Sequence, residues 1–235
     1  MKRVSNLYEQ LFDLNYIFLN YEIVKKNTKN KQKINKFEEN LSINILRIIY
    51  LIKNYQVNKY NMFIVYEPKK RLILSLNLYD KVNNHMVANI LYDVLDKSLI
   101  DSNVAVRKNK GTAYALKLVK KYLAEYHNYY VLKCDIAKYF YNIDHNILKS
   151  LLRNKIKDEK FLNIVDKIID STNQEYIINK AHEMDFDYVN YHKGTSIGCF
   201  TSQIFAIYYL NDLDHYIKEK LKIKHYIRYM DGATV

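Results

Sequence analysis

Two stretches of this chain run through an alternating pattern and end on an aspartate. In YYVLKCDIAKYF, residues 129–140, Val131, Lys133 and Asp135 alternate with Leu132, Cys134 and Ile136, the period-two signature of a strand with a polar face and a core face. In HYIRYMDGATV, residues 225–235, a strand over 225–230 reaches Asp231 and meets Asp-Gly, a dipeptide favoured in hairpin turns because Gly accepts positive φ freely. Beyond that turn only Ala233, Thr234 and Val235 follow, so the sequence reads as a strand and a tight turn that stop before a partner strand can pair. Strands drawn from distant parts of the chain exclude an all-helical fold.

The remaining segments supply mostly helix. Residues 5–58 carry apolar positions at helical spacing, among them Ile43, Leu46, Ile49 and Tyr50, with a polar loop at 25–33. MFIVYEPKKRLILSL, residues 62–76, reads as two short strands around a turn holding Pro68, the one proline. Helical patterning returns over 78–99, 112–126 and 145–170, whereas 176–192 reads as irregular or hairpin-like. KGTSIGCFTSQ, residues 193–203, is a glycine-bearing loop, with Thr201 or Ser202 placed to cap a helix whose Ile204, Phe205, Tyr208 and Tyr216 share a stripe. The expected class is α+β, an antiparallel sheet packed on helices.

With 235 residues and 49% hydrophobic content, the chain can bury a core of its own. Lys+Arg 37 against Asp+Glu 25 leaves a net charge of +12, spread along the sequence. Such a balance favours a polyanionic partner, most simply nucleic acid held through its phosphates; a basic surface kept for solubility is the plainer reading. Cys134 and Cys199 form neither a disulfide framework nor a zinc motif, which points to a reducing cytoplasmic setting. The longest apolar run, 45–52, is short and contains Arg47, so neither a signal peptide nor a membrane span is expected.

If the strands ending on Asp135 and Asp231 share a sheet, two like charges meet and need a cation between them. Magnesium suits a few carboxylates plus substrate phosphates, and a pair of ions about 3.5–4 Å apart serves in-line phosphoryl displacement. Two aspartates at strand ends can equally be solvated caps, and spacing alone does not choose.

CDIAKYFYNIDH (134–145), KGTSIGCFTSQ (193–203) and YIRYMDG (226–232) follow in the order and spacing of three successive reverse transcriptase motifs, and EPKKRLILSLNLYDKVNNH and NVAVRKNKGTAYAL resemble the two fingers motifs upstream. Over residues 60–232 the chain resembles a bacterial reverse transcriptase of the group II intron, retron and diversity-generating retroelement assemblage. The resemblance implies a right-hand polymerase with a helical segment over 1–58, fingers over 59–130 and palm over 131–235, residues 145–192 being partly fingers. It implies an RNA template, a nucleic-acid primer, dNTPs, two Mg2+ ions and, in some lineages, an accessory protein. Carried over by position, Asp135 and Asp231 are the metal-binding catalytic carboxylates, with the Ile136 carbonyl assisting. Phe140 is the gate beneath the incoming sugar, although core packing explains a Phe there as well. Arg71 closes on the triphosphate, and Ile197, Gly198 and Gln203 lie against nucleotide and template. Lys69, Arg107 and Lys110 supply phosphate contacts, or are ordinary solvated cations.

Two departures from the family pattern matter. Ile197 and Ser202-Gln203 replace the common Gln and Ser-Pro, a form resembling the error-prone diversity-generating subgroup; an aliphatic chain in place of an amide removes hydrogen bonds that select the base. Gly232 stands where the family has a second adjacent aspartate, which weakens metal binding, and the sequence stops where the rest of the palm and a thumb are expected, as in a truncated or frameshifted chain. RNA-directed DNA polymerase activity, weak or absent in this chain alone, is the leading expectation. A catalytically dead RNA-binding fingers-palm relic is the alternative, and a metal-dependent nuclease ranks third, since it leaves Phe140 and Arg71 without a role.

Overall fold

The computed structural model describes residues 3–55, 59–125, 130–186 and 191–235. Three helices come first: α1 (Leu14–Lys26), α2 (Lys31–Glu38) and α3 (Leu41–Lys53). Each of the first two starts where a side chain replaces a missing backbone partner, Asp13 accepting from Tyr16 N–H and Asn30 from Lys33 N–H. A hairpin follows, β1 (Asn61–Val65) against β2 (Arg71–Ser75), paired from Asn61↔Ser75 to Val65↔Arg71 around Pro68, as expected. Then come α4 (Leu78–Leu95), α5 (Thr112–Glu125), β3 (Lys133–Cys134), the single turn α6 (Tyr139–Asn142), α7 (His145–Arg153), α8 (Glu159–Asp170) and α9 (Glu175–Glu183). The order closes with α10 (Phe200–Tyr209), α11 (Asn211–His215), a π-helical turn over Tyr216–Lys220, β4 (Ile227–Tyr229) and β5 (Gly232–Thr234).

Helix α4 is the hub. Val82, Met86, Val87, Ala88 and Leu91 are wholly buried, and α1, α3 and α10 pack on it. Helices from the N-terminal segment therefore share one apolar core with α7, α8 and α10. A second cluster joins Leu72 and Leu74 of the β1–β2 hairpin to Ile177 and Ala181 of α9 and to Cys199. The segment read as hairpin-like, 176–192, is thus helical over its first part: Ile177 and Ala181, four residues apart, form the buried face that holds α9 on the hairpin. Residues 187–190 of that segment lie outside the described ones.

Other expectations shift in register. On α3 the buried face is Asn44, Ile45, Ile48 and Ile52, while Ile43, Leu46 and Tyr50 are exposed. The helix is apolar nearly all round, so periodicity cannot choose the face; polar Asn44 decides it, donating from Nδ2 to Phe37 O (2.7 Å) and accepting from Tyr79 Oη (2.7 Å). Helix α10 starts at Phe200, and neither Thr201 nor Ser202 caps it from within; Asn84 of α4 does so, accepting at Oδ1 from Thr201 N–H (3.2 Å). Tyr216 leaves the stripe of Ile204, Phe205 and Tyr208, because α10 ends at Tyr209.

The three-stranded sheet differs most from its sequence reading. Its order is β3-β5-β4, antiparallel throughout, so the short return strand lies in the centre and separates the two strands expected to be neighbours. Three residues suffice because both edges are hydrogen-bonded: Lys133↔Thr234 and Cys134↔Ala233 on one side, Ile227↔Thr234, Arg228↔Ala233 and Tyr229↔Gly232 on the other. Leu132 and Val235 exchange two further backbone bonds (3.0 and 2.9 Å). The expected core face of β3 is not buried, since Leu132 is 61% and Ile136 37% exposed; β3 is the outer edge, and among the described residues the helices pack at the β4 side.

The N-terminus is stitched to the loop before α8. Asp158 accepts from Leu7 N–H (2.7 Å) and Tyr8 N–H (2.9 Å) while also capping α8 at Phe161 N–H (3.1 Å). Burial alone would raise its carboxyl, but the backbone donors outweigh that and leave it below the ordinary 3.8. Its contribution is therefore present above the unfolded pKa and lost as pH falls through it toward the folded value. Asp158→Ala should lower unfolding free energy by about 1–2 kcal/mol at neutral pH, and the gap to wild type should shrink between about pH 5 and about pH 3, as read by urea titration.

Candidate active site

Arg107 and Lys110 apart, each functional side chain expected from the sequence sits on one of four segments, and backbone bonds tie them together. Asp135 leaves β3 one residue beyond Cys134, and the ladder Cys134↔Ala233 sets Asp135 opposite Gly232. A Cβ placed on Gly232 lies 3.9 Å from Asp135 Oδ1, which locates the carboxylate beside the β4–β5 turn. That turn has Met230 and Asp231 as its two loop residues, because Tyr229 and Gly232 are paired. Gly232 is thus the first residue of β5 and not a turn glycine: the positive φ falls on Met230 (φ 56°), in the loop position where II′ turns usually carry Gly. Asp231 is half-buried, Asp135 exposed.

From Asp135 the chain runs through exposed Ile136 to α6, whose entry residue Lys138 takes φ 51°. Phe140 packs partly against the helical core beside Tyr139, ring centroids 5.9 Å apart, and its carbonyl accepts from Thr195 N–H (2.8 Å). The loop 192–199 is then held at several points. Gly194 N–H donates to Ile143 O (2.8 Å), His145 N–H to His192 O (3.0 Å), and Leu74 N–H to Ile197 O (3.1 Å). Leu72 N–H also donates to Tyr141 Oη (3.2 Å), so α6, the loop and β2, which begins at Arg71, form one connected wall. Arg71 and Lys69 are exposed there, Ile197 is half-buried, and Gln203 is exposed on the first turn of α10.

His145 is a residue that the sequence motifs did not single out. Its ring is 1% exposed; Nε2–H donates to Gly194 O (2.6 Å), and Nδ1 faces Asn173 Nδ2 (3.2 Å) and Asp170 Oδ1 (3.3 Å). Burial lowers its pKa, keeping the imidazole neutral and its Nε2 proton on the loop carbonyl.

Arg107 and Lys110 are placed differently from the phosphate role expected of them. Arg107 donates from Nε to Asp96 Oδ1 (2.5 Å) and from Nη1 to Ile100 O (2.6 Å) and Asn103 O (3.0 Å), with a side chain 9% exposed. Lys110 donates to Asp101 O (2.6 Å) and Asp101 Oδ1 (2.8 Å), its side chain 13% exposed. Both hold the loop between α4 and α5 in shape, with the donors named here directed into the fold. Among the described residues, no three His, Cys, Asp or Glu side chains cluster as metal ligands, and no helix is long and apolar enough to cross a membrane.

A family model described as "Reverse transcriptase (RNA-dependent DNA polymerase)" matches residues 57–235. A COX1/OXI3 intron 2 protein of Saccharomyces cerevisiae is 23% identical over 232 residues, covering 93% of this chain and 25% of that protein. An uncharacterized 91 kDa protein in cob intron of Schizosaccharomyces pombe is 35% identical over 88 residues, covering 37% of this chain and 10% of the other. The chain spans a quarter or less of the length of these relatives. Both come from yeasts, so they give no support to the bacterial assignment.

Gly198 has φ +114°, and a Cβ there would lie 3.2 Å from Ile73 Cγ2 of β2, whereas Gly111 has φ +96° with nothing within 4 Å. Gly111→Ala should therefore cost about 1 kcal/mol through backbone strain alone, and Gly198→Ala about 1–3 kcal/mol because the loop must also move off β2. Denaturant midpoints of the two variants separate these contributions.

Proposed function

Because the chain belongs to the reverse transcriptase (RNA-dependent DNA polymerase) family, we propose that it carries the nucleotide-binding and metal-binding half of an RNA-directed DNA polymerase, joining deoxynucleotides to a primer 3′-hydroxyl on an RNA template. The observation that carries this reading is the central strand β5, whose pairing with both β3 and β4 brings Asp135 and the Asp231 turn to one end of one sheet.

Two carboxylates, with no third His, Cys, Asp or Glu side chain clustered beside them among the described residues, fit magnesium, which takes one or two carboxylates and completes its shell with backbone carbonyl, water and substrate phosphate. Asp135, Asp231 and the Ile136 carbonyl would hold it. When bound, the metal supplies charge neutralisation at the triphosphate and acidifies the attacking hydroxyl. The chain's own groups do the rest. Arg71, exposed at the start of β2, offers a planar multi-donor fork to phosphate oxygens. The wall of Phe140, Ile197 and Gly198 bounds the sugar and base, with Gln203 and Lys69 at its edge and a 2′-hydroxyl excluded by the Phe140 ring. Phosphate binding by the basic surface positions the duplex and weakens with salt. Ile197, whose side chain has no hydrogen bond to offer, relaxes base selection in the manner of the error-prone subgroup. Free Cys134 and Cys199 suit a reducing, cytoplasmic compartment.

Gly232 favours a second reading, a fragment that binds RNA and does little chemistry, since the site has one carboxylate fewer than the family pattern. Primer extension on an RNA template separates the two. Polymerase function predicts magnesium-dependent extension that is abolished in Asp135→Ala and raised about tenfold or more in Gly232→Asp, because a Cβ at 232 meets only ordinary contacts of 3.5–4.0 Å. Salt-sensitive RNA binding with no extension by either wild type or Gly232→Asp would leave the binding reading. In an active variant, Phe140→Ala should cut the preference for dNTP over rNTP by about tenfold or more; an unchanged ratio would return Phe140 to a packing role.

A further inference from the structure

Arg228 lies in the middle of β4 and is 1% exposed, the largest of the fully buried side chains. A guanidinium in that position must have its donors met, and four of its N–H groups are placed. Nε donates to Asp214 Oδ1 (2.7 Å) and Nη2 to Asp214 Oδ2 (2.7 Å), a bidentate pair with an acid on α11 that is itself 0% exposed. Nη2 also donates to Ile207 O (2.6 Å), at the end of α10. Nη1 donates to Met230 O (2.7 Å), two residues along the same chain. Tyr226 Oη (2.7 Å) and Asn103 Nδ2 (3.4 Å) complete the surroundings of Asp214, and Val104 N–H and Ser102 O bond the Arg228 backbone (3.0 Å each).

The bond to Met230 O reaches the strained point of the turn. Met230 has φ 56°, a left-handed conformation that a side-chain-bearing residue keeps only where surrounding bonds impose it. Its carbonyl is the peptide oxygen that immediately precedes Asp231. A buried ion pair is weak evidence for net stability, because apolar side chains of similar volume can serve as well; what they cannot supply is a directed donor to a particular carbonyl.

We propose that Arg228 and Asp214 are the positioning residues of this site: the pair clamps the Met230 carbonyl against α10 and α11 and so fixes Asp231 at the same sheet end as Asp135. The inference rests on Asp231 being one of the working carboxylates. Asp214 orients Arg228, Arg228 orients the turn, and neither needs to touch substrate.

Site-resolved hydrogen exchange on the full chain tests the clamp without requiring activity. Arg228→Lys keeps a cation for Asp214 but has one nitrogen in place of the fork, and Leu152→Ala, in the helical core on α7, serves as a control of lowered stability. At a temperature where both are folded, the amides of residues 231–234 should exchange about tenfold faster or more in Arg228→Lys than in Leu152→Ala, with other core amides alike. Equal protection of the turn in the two variants would overturn the proposal. If Arg228→Lys does not fold, Asp214→Asn carries the same comparison; if neither folds, the pair is an element of folding and the positioning role falls. Mn2+ titration keeps the two claims apart. Binding that is lost in Asp135→Ala and weakened in Arg228→Lys supports both, whereas a loosened turn with Mn2+ binding indifferent to Asp135 removes the metal reading, and with it the assignment of Asp231 as the clamp's purpose.

Discussion

A strand of three residues, Gly232–Thr234, is the member on which the candidate site depends. An isolated pair of short strands is marginal in water, but β5 is bonded along both edges, and each edge brings in a segment from elsewhere in the chain. Without β5, Asp135 just beyond β3 and Asp231 beyond β4 have no common frame, because β3 and β4 are not paired with each other. The ladder is anchored at its far side by a buried bidentate contact, the Arg228–Asp214 pair, which joins β4 to the end of the helical layer. Sheet, turn and helices are therefore one mechanical unit at the end where the acids lie.

The proposed nucleotide wall is built by a different device. Loop 192–199 has little regular structure, yet its carbonyls and amides are taken up by Phe140, Ile143, His145 and Leu74. A loop fixed by backbone bonds on two sides can place an aliphatic residue such as Ile197 as firmly as a strand would. The neutral His145 ring closes the inner side, and burial keeps it from charging. Phe140 serves two ends at once, its ring against the core and its carbonyl on the loop, so its packing role and its proposed gating role are compatible. The basic surface acts over longer range, with Arg71 and Lys69 exposed at the hairpin end while Arg107 and Lys110 are consumed by Asp96 and Asp101.

Much of this was legible in the amino-acid order. The β1–β2 hairpin, the span of α5 and the two Asp-tipped strands follow from local pattern and turn chemistry, and the family motifs placed Asp135, Phe140, Gly198 and Asp231 on segments that the fold brings together. What could not be read is tertiary in origin. An α3 that is apolar all round has no marked face until Asn44 finds Phe37 and Tyr79. The α9 segment reads as strand-like because its isoleucines suit either structure, and only contact with the hairpin selects helix. Nothing local announces that Gly232–Thr234 would pair with β3 as well as with β4. Arg228 left no such signal, since an arginine between Ile227 and Tyr229 in an alternating strand reads as solvent-facing, and only the fold sets it against Asp214.

The central claim is that Asp135 and Asp231 work as one divalent-metal site. The measurement that bears on it most directly is a Mn2+ titration of the purified chain followed by the loss of the free-ion electron paramagnetic resonance signal, in wild type, Asp135→Ala and Asp231→Ala. The account predicts a weak site in wild type, absent in either variant while both stay folded, and strengthened when a deoxynucleoside triphosphate completes the coordination. Binding that persists unchanged in both variants would place any metal elsewhere and leave the two aspartates as solvated strand ends.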